Sequence, residues 1–374
     1  MFKRNLQTGR LGNWRRLAHV SAAIAAGLLS ATFGTTASAQ TATTGPSAQD
    51  QIAMEQVHTV LPQLAIQSLD AVEANVHNIL VERRDREASG DEPVIGKLTM
   101  SLFGDFRAGK YSQFVGEPST ITHSRSISAA LDYAPREGII AGVSAGIDGL
   151  DARLDGMAPG TGPGIGTTSY HVGPFVGVSN GRVYFDTSVN YAVDRYNEHF
   201  STSNNQVLVT GARDSDSWAI SGETGYHLRK GKINVQPFAG LHYRYAHVPQ
   251  LNQTTGTTTL ATAAFANESL RSAAGLRISE NYAMNSWSLQ PTVSAEWRHE
   301  LRHQVSTVIE EEQIAPPTPV FTLPPGSFDR NAVLVNVGMS ATYHERLTVR
   351  LSYRGEFADG RRIHGLVASI SHRF

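Results

Sequence analysis

No cysteine occurs among the 374 residues, which excludes a disulfide scaffold, a thiolate metal site and thiol catalysis. Charge is scarce as well: Asp, Glu, Lys and Arg make up 17% of the chain, against about 25% in ordinary globular proteins. Neither sign dominates, with 32 basic against 33 acidic residues, so nothing points to nucleic acid as a partner. No run of about 20 apolar residues follows residue 39, which excludes a bundle of membrane helices. What the chain does have is 34 glycines and a hydrophobic fraction of 40%, together with plentiful Thr, Ser and aromatic residues. Its length would allow two ordinary domains, yet no continuous apolar segment is present to build their cores.

The N-terminus reads as a leader. Lys3, Arg4, Arg10, Arg15 and Arg16 precede an apolar stretch from Val20 to Leu29, followed by Ala37-Ser38-Ala39. This is the basic, hydrophobic and small-residue plan of a secretory signal, with cleavage expected after Ala39. The apolar run is too short for a membrane anchor, and Arg15-Arg16 alone is a weak twin-arginine marker. Removing residues 1–39 takes away five cations and no anion, leaving 335 residues with 27 basic against 33 acidic, a net −6. Residues 40–49 are a short polar linker.

A helical pattern follows from Asp50 to about Arg86. Ala65, Leu69, Val72, Val76 and Leu80 form one apolar stripe, while Gln67, Asp70, Glu73, Asn75, His77 and Glu82 occupy the other faces. Pro62 either kinks this segment or starts its main helix. From Pro62 to Arg86 the rise is roughly 37 Å, about the height of a bilayer with its interfaces. By itself this pattern also suits an amphipathic helix packed on a globular domain.

From Leu98 onward, one device repeats: about ten residues of apolar/polar alternation, then turn chemistry. Leu347, Val349, Leu351, Tyr353 and Phe357 interleave with Thr348, Arg350, Ser352, Arg354 and Glu356. Trp287, Leu289, Val293, Ala295 and Trp297 likewise oppose Ser288, Gln290, Thr292, Ser294, Glu296 and Arg298. Twelve strands are predicted, near 98–107, 124–134, 139–149, 167–178, 182–196, 214–228, 232–246, 267–279, 286–301, 331–343, 346–357 and 363–374. Short turns alternate with long connections, except at 358–362. A soluble sandwich has no reason to alternate its connections, whereas an outer-membrane barrel does. Trp287, Trp297, Tyr245, Tyr343 and Tyr353 fall near strand ends on the apolar face, where an aromatic girdle belongs. Strands in lipid must close on themselves, because unpaired backbone groups are too costly there. The expected fold class is therefore an all-β, 12-stranded antiparallel outer-membrane β-barrel preceded by an α-helix.

Residues 94–374 resemble the C-terminal translocator domain of autotransporters, the type V secretion family. The segments that carry the likeness are Gln236-Pro237-Phe238-Ala239-Gly240-Leu241, Ser269 to Arg277, Trp297 to Leu301, Asp329 to Val335 and the ending Ser371-His372-Arg373-Phe374. The resemblance implies that residues 50–93, helix and linker, thread and plug the pore. It implies that Phe374 is the signal read by the outer-membrane insertion machinery, although His372 stands where the family usually has Tyr. It further implies a Gram-negative outer-membrane location, periplasmic chaperones en route, lipid around the barrel and a monomer. Polar residues facing such a lumen would be Asp186, Glu223, Arg271, Arg277, Glu296, Arg298, Arg350, Arg354 and Glu356, able to solvate the polar side chains of the helix. Some members cleave the helix beside an Asn pair; here Val76 and His77 separate Asn75 from Asn78. A complete autotransporter also carries a long passenger before the helix. None is expected in this chain, which reads as a stand-alone barrel or one whose cargo is lost or encoded elsewhere.

Three motifs compete with this reading. His299-Glu300-Leu301-Arg302-His303 fits the zincin pattern, which requires a helix, but it closes a predicted strand. Gly142-Val143-Ser144-Ala145-Gly146 and Gly177-Val178-Ser179-Asn180-Gly181 fit a nucleophile elbow without its strand–turn–helix setting. Gly160–Gly166 resembles a phosphate cradle in composition only. The expectation is a non-enzymatic translocator-type barrel with no catalytic residue, metal or cofactor. The alternatives are a porin-like passive channel and, less favoured, an outer-membrane esterase.

Overall fold

Alternation at a period of two sends successive side chains to opposite faces of a strand, and here it closes a sheet. The computed structural model describes residues 48–89, 95–112, 119–155, 164–201, 207–255, 258–305, 308–313, 320–323 and 329–374. The leader (1–39), its cleavage position Ala39 and most of the polar linker lie outside these residues.

Among the described residues, twelve strands form the wall. They are β1 (Leu98–Tyr111), β2 (Thr120–Arg136), β3 (Ile139–Leu154), β4 (Gly164–Ser179), β5 (Val183–Ser201) and β6 (Val207–Tyr226). The second half comprises β7 (Ile233–Val248), β8 (Phe265–Glu280), β9 (Trp287–Val305), β10 (Asn331–Tyr343), β11 (Leu347–Ala358) and β12 (Arg361–Arg373). Each strand pairs antiparallel with its neighbours in sequence. The ring closes where β1 meets β12, in register from Thr99↔Arg373 to Tyr111↔Arg361. All twelve predicted strands are present, several longer at the long-loop rim than the alternation suggested. Residues 197–213, read as a loop, largely extend β5 and β6 as a paired hairpin. Residues 251–262 and 308–323 contribute four short strands that pair into a separate sheet.

Short turns gather at one rim. At the β2–β3 turn Gly138 has φ +72°, and an added Cβ would lie 2.0 Å from the Ser179 carbonyl oxygen, so only glycine fits there. The β10–β11 turn achieves the same reversal with His344 (φ 45°) and Glu345 (φ 57°), the two positive φ values of a tight hairpin.

The outer face is apolar: Phe106 and Leu351 are 53% and 60% exposed. The rings of Trp287 and Tyr343 meet at a tilt, 4.9 Å apart, near the short-turn rim, and Trp218 lies 4.9 Å from Tyr243 near the other. Trp287 and Trp297 are roughly 33 Å apart along one strand. With a tilt of about 40° that gives a band about 25 Å tall, the apolar height of an outer-membrane barrel.

The helix, α1, runs from Ala48 to Ser89 with Pro62 inside it, so Pro62 does not start the helix. No helix among the described residues is long and apolar enough to cross a membrane. The barrel crosses with strands instead.

Candidate functional site

The inside of the barrel is occupied by α1. Between Leu61 and Arg84 nearly every described side chain of the helix is buried, apart from a half-buried stripe at Asp70, Ala74, His77 and Asn78. An amphipathic helix on a protein surface would leave its polar side in water. Here the polar side meets the barrel wall. Asn75 Nδ2 donates to Ser128 Oγ on β2 at 3.0 Å, and Tyr111 Oη on β1 donates to Gln67 Oε1 at 2.7 Å. Asn267 on β8 donates to the Pro62 carbonyl.

Two apolar collars grip the helix. At the long-loop rim, Leu61, Leu64, Ala65 and Ile66 pack with Leu150, Leu154, Ile165, Tyr196, Val248 and Phe265. Toward the short-turn rim, Val76, Ile79 and Leu80 pack with Phe103, Ala130, Ile140 and Phe175. Fully burying one such aliphatic side chain is worth about 1.5–3 kcal/mol, so the collars seal as well as hold. Sequence reading missed them. Their signal was available: Leu150, Ala152 and Leu154 share a strand face with polar positions, an interruption of the polar side near one rim.

Between the collars Leu69 packs on Ala192 and Ala219; the charged contacts between and below the collars change sign along the helix. Asp70 and Glu73 meet Arg244 of β7, whose Nη2 lies 2.5 Å and 2.7 Å from their carboxylates, and His242 also pairs with Glu73. Ten residues on, the helix is basic. Arg83 reaches Asp132 of β2 through two bonds of 3.2 Å, and Arg84 pairs with Asp186 while lying 3.7 Å over the Tyr184 ring. Arg244 is 1% exposed and belongs in the site, although the sequence showed only its parity.

Each candidate lumen residue can now be placed. Asp186, Glu223, Arg271, Arg277, Arg298, Arg350 and Glu356 are buried, and Glu296 and Arg354 half-buried, all on the inner face. Asp186, Glu223 and Arg277 gather around the helix: Arg277 donates to His77 Nε2 at 2.6 Å and lies 3.6 Å from Glu223. Arg298 is 3.9 Å from Asp70 and pairs with Glu296. Arg271 and Glu356 bond instead within the wall, to Glu300 (2.6 Å) and to Arg361. Phe374 is exposed on the outside, where its N–H donates to the Leu98 carbonyl at 3.0 Å and its ring meets His372 at 4.8 Å.

Among the described residues, the three competing motifs do not assemble a catalytic or metal geometry. His299 accompanies Trp297 and Asn331 on the outer face, while Glu300 turns inward to Arg271. The zincin pattern is thus split across a strand. Ser144 lies mid-strand in β3 with Oγ 3.4 Å from the Gly173 carbonyl, and Ser179 Oγ accepts from Gly181 N–H at 3.0 Å in a hairpin. Gly164–Gly166 begins β4, with the rest of its glycine run outside the described residues. His77, Asp186 and Glu223 do bring ligand atoms within 4.8 Å of one another, but Arg84 and Arg277 already sit on both carboxylates.

A twelve-stranded barrel with an apolar outer belt and a helix lodged in its pore defines a class of outer-membrane protein. A model of the family described as Autotransporter beta-domain matches residues 103–354, about two thirds of the sequence, and the chain belongs to that family. Such domains reside in the Gram-negative outer membrane. The fold is similar to the translocator domain of the autotransporter NalP from Neisseria meningitidis, with TM-score 0.61 and 13% identity over 83% of this chain and 99% of that one. The beta domain of the Bordetella autotransporter BrkA gives 0.53 and 16%, over 75% of this chain and 100% of that one. The transport unit of AIDA-I from Escherichia coli gives 0.52 and 15%, over 74% and 90%. No curated protein matches the sequence.

Proposed function

We propose that this protein is a passive translocation pore in its plugged state, with α1 as the stopper. One observation carries the reading: the direction of the helix. Leu61 to Ile66 lie in the collar at the long-loop rim, and Arg83 and Arg84 bond near the short-turn rim. Long loops face the exterior in outer-membrane barrels. Chain leading into Leu61 would therefore emerge at the cell surface, having passed through the pore. Chemistry is not required of any residue in this reading, and the barrel acts by enclosing a path.

The same reading assigns the partners. Lipid covers the apolar belt, periplasmic chaperones carry the unfolded chain, and the insertion machinery reads Phe374. A closed ring leaves no sheet edge for self-pairing, which favours a monomer.

Conductance in planar bilayers tests the plug. The intact chain is expected to give small openings, and removal of residues 50–86 to raise conductance severalfold. Large, steady conductance from the intact chain would favour the porin-like reading and sink this one.

A further inference from the structure

The helix does not fill the pore evenly. Its half-buried described residues Asp70, Ala74, His77 and Asn78 form one stripe, at spacings of 4, 3 and 1. That stripe borders a cavity of about 80 Å³ whose far wall includes Ser294, Asn336, Arg350, Ser352 and Arg354. A single water needs roughly 10–15 Å³ by the same measure, so the space holds several waters or a small polyatomic ion.

Charges around this cavity are matched almost one to one. Asp186 pairs with Arg84, Glu223 with Arg277, Glu73 with Arg244 and His242, and Glu296 with Arg298. Asp70 is held by Arg244, and Glu356, two positions beyond Arg354 on β11, is held by Arg361. Arg354 is the exception. Among the described residues no carboxylate lies within ion-pair distance of its guanidinium; Asp70 and Glu356 attract it only from farther off, and Arg298 and Arg107 repel it. Arg350 lies four positions before it on the same face and lines the same cavity. Asn336, the register partner of Arg354 on β10, and Ser352 line the same cavity. Both carry hydrogen-bond donors.

Arg354 is half-buried at the cavity, and its forked donors match the oxygens of carboxylate and phosphate. We propose that the cavity beside the helix is an oxyanion-binding site, with Arg354 as principal ligand and Asn336 and Ser352 beside it. The occupant is a small phosphate or carboxylate, drawn from solution and seated between the helix and the β9–β11 wall. The site needs no translocation activity and stands apart from the plug reading.

Phosphorus NMR of the folded, detergent-solubilised full chain, titrated with inorganic phosphate, tests this. Saturable broadening of the phosphate line is expected for the native protein, lost in Arg354→Gln and partly restored in Arg354→Lys. Acetate at equal ionic strength should reverse the broadening if carboxylates share the site, and chloride should not. Folding of each variant is checked by heat-modifiable migration. Should Arg354→Gln fail to fold, Asn336→Leu keeps the charge and is expected to bind phosphate about tenfold more weakly, as for loss of one charge-assisted hydrogen bond. No broadening in the native protein, equal broadening in Arg354→Gln, or unchanged affinity in Asn336→Leu would overturn the site. Displacement by chloride as readily as by acetate would overturn the oxyanion class.

Discussion

Arg244 holds the centre of the helix through two carboxylates at once, and it does so almost entirely out of solvent. Breaking a buried ion pair from one side costs about 3–5 kcal/mol, because the orphaned charge stays buried. Arg244→Leu is therefore expected to loosen α1 and raise the frequency of channel openings in bilayers, while the strand ladder stays intact. Unchanged gating in that variant would mean the collars alone retain the helix. Phe374 presents a different case. Its ring is exposed at the seam of β1 and β12, where a chain terminus can be read before the barrel closes. Phe374→Ala is expected to lower the yield of protein in the outer-membrane fraction; equal yield would refute the signal role.

At the scale of elements, the glycine content has a packing reason on the inner wall. A Cβ on Gly142 would lie 2.4 Å from Phe175 Cζ, and one on Gly275 would lie 2.4 Å from Phe238 Cζ. Each ring lies across a neighbouring strand, in a notch that only glycine leaves open. Phe238 is also covered by the Arg277 guanidinium at 4.7 Å, which links the notch to the charged belt around α1. Gly275→Val should displace Phe238 at a cost of about 1–3 kcal/mol, as overpacking does, and lower the urea midpoint of the folded barrel. Ala239→Val on the outward face provides the comparison and should leave the midpoint nearly unchanged. Equal midpoints for both variants would count against the notch.

For the whole molecule, the decisive quantity is which way the chain threads. The natural absence of cysteine makes single-cysteine labelling clean. With the long-loop rim outside, Ala48→Cys should react with a membrane-impermeant maleimide on intact cells, and Ser89→Cys should not. Labelling of Ser89→Cys alone would reverse the proposed orientation. A short bifunctional thiol reagent joining Asn75→Cys to Ser128→Cys, positions already linked by a hydrogen bond, should hold the helix in place. Locking the pore this way is expected to abolish openings that the reduced, unlinked protein still shows.

The sequence by itself determined the wall. Strict alternation in segments such as Leu347–Phe357 and Trp287–Arg298 sets strand identity, and the apolar half of each strand sets the outer face, because a strand sends neighbours to opposite sides. It also carried the sign and position of the inner charges, as the placement of Arg277, Glu296 and Arg298 illustrates. Only the tertiary structure decided which charges meet. Arg244 is more than 160 positions from Asp70 and Glu73 in the chain, and ring closure around a helix is what brings them together. The apolar collars at Leu150–Leu154 and Phe265, the notches at Gly142 and Gly275, and the unpaired Arg354 depend on the same closure. Local periodicity reports the face of a strand on which a residue lies, whereas its partner across the pore is set by register, shear and the seating of the helix.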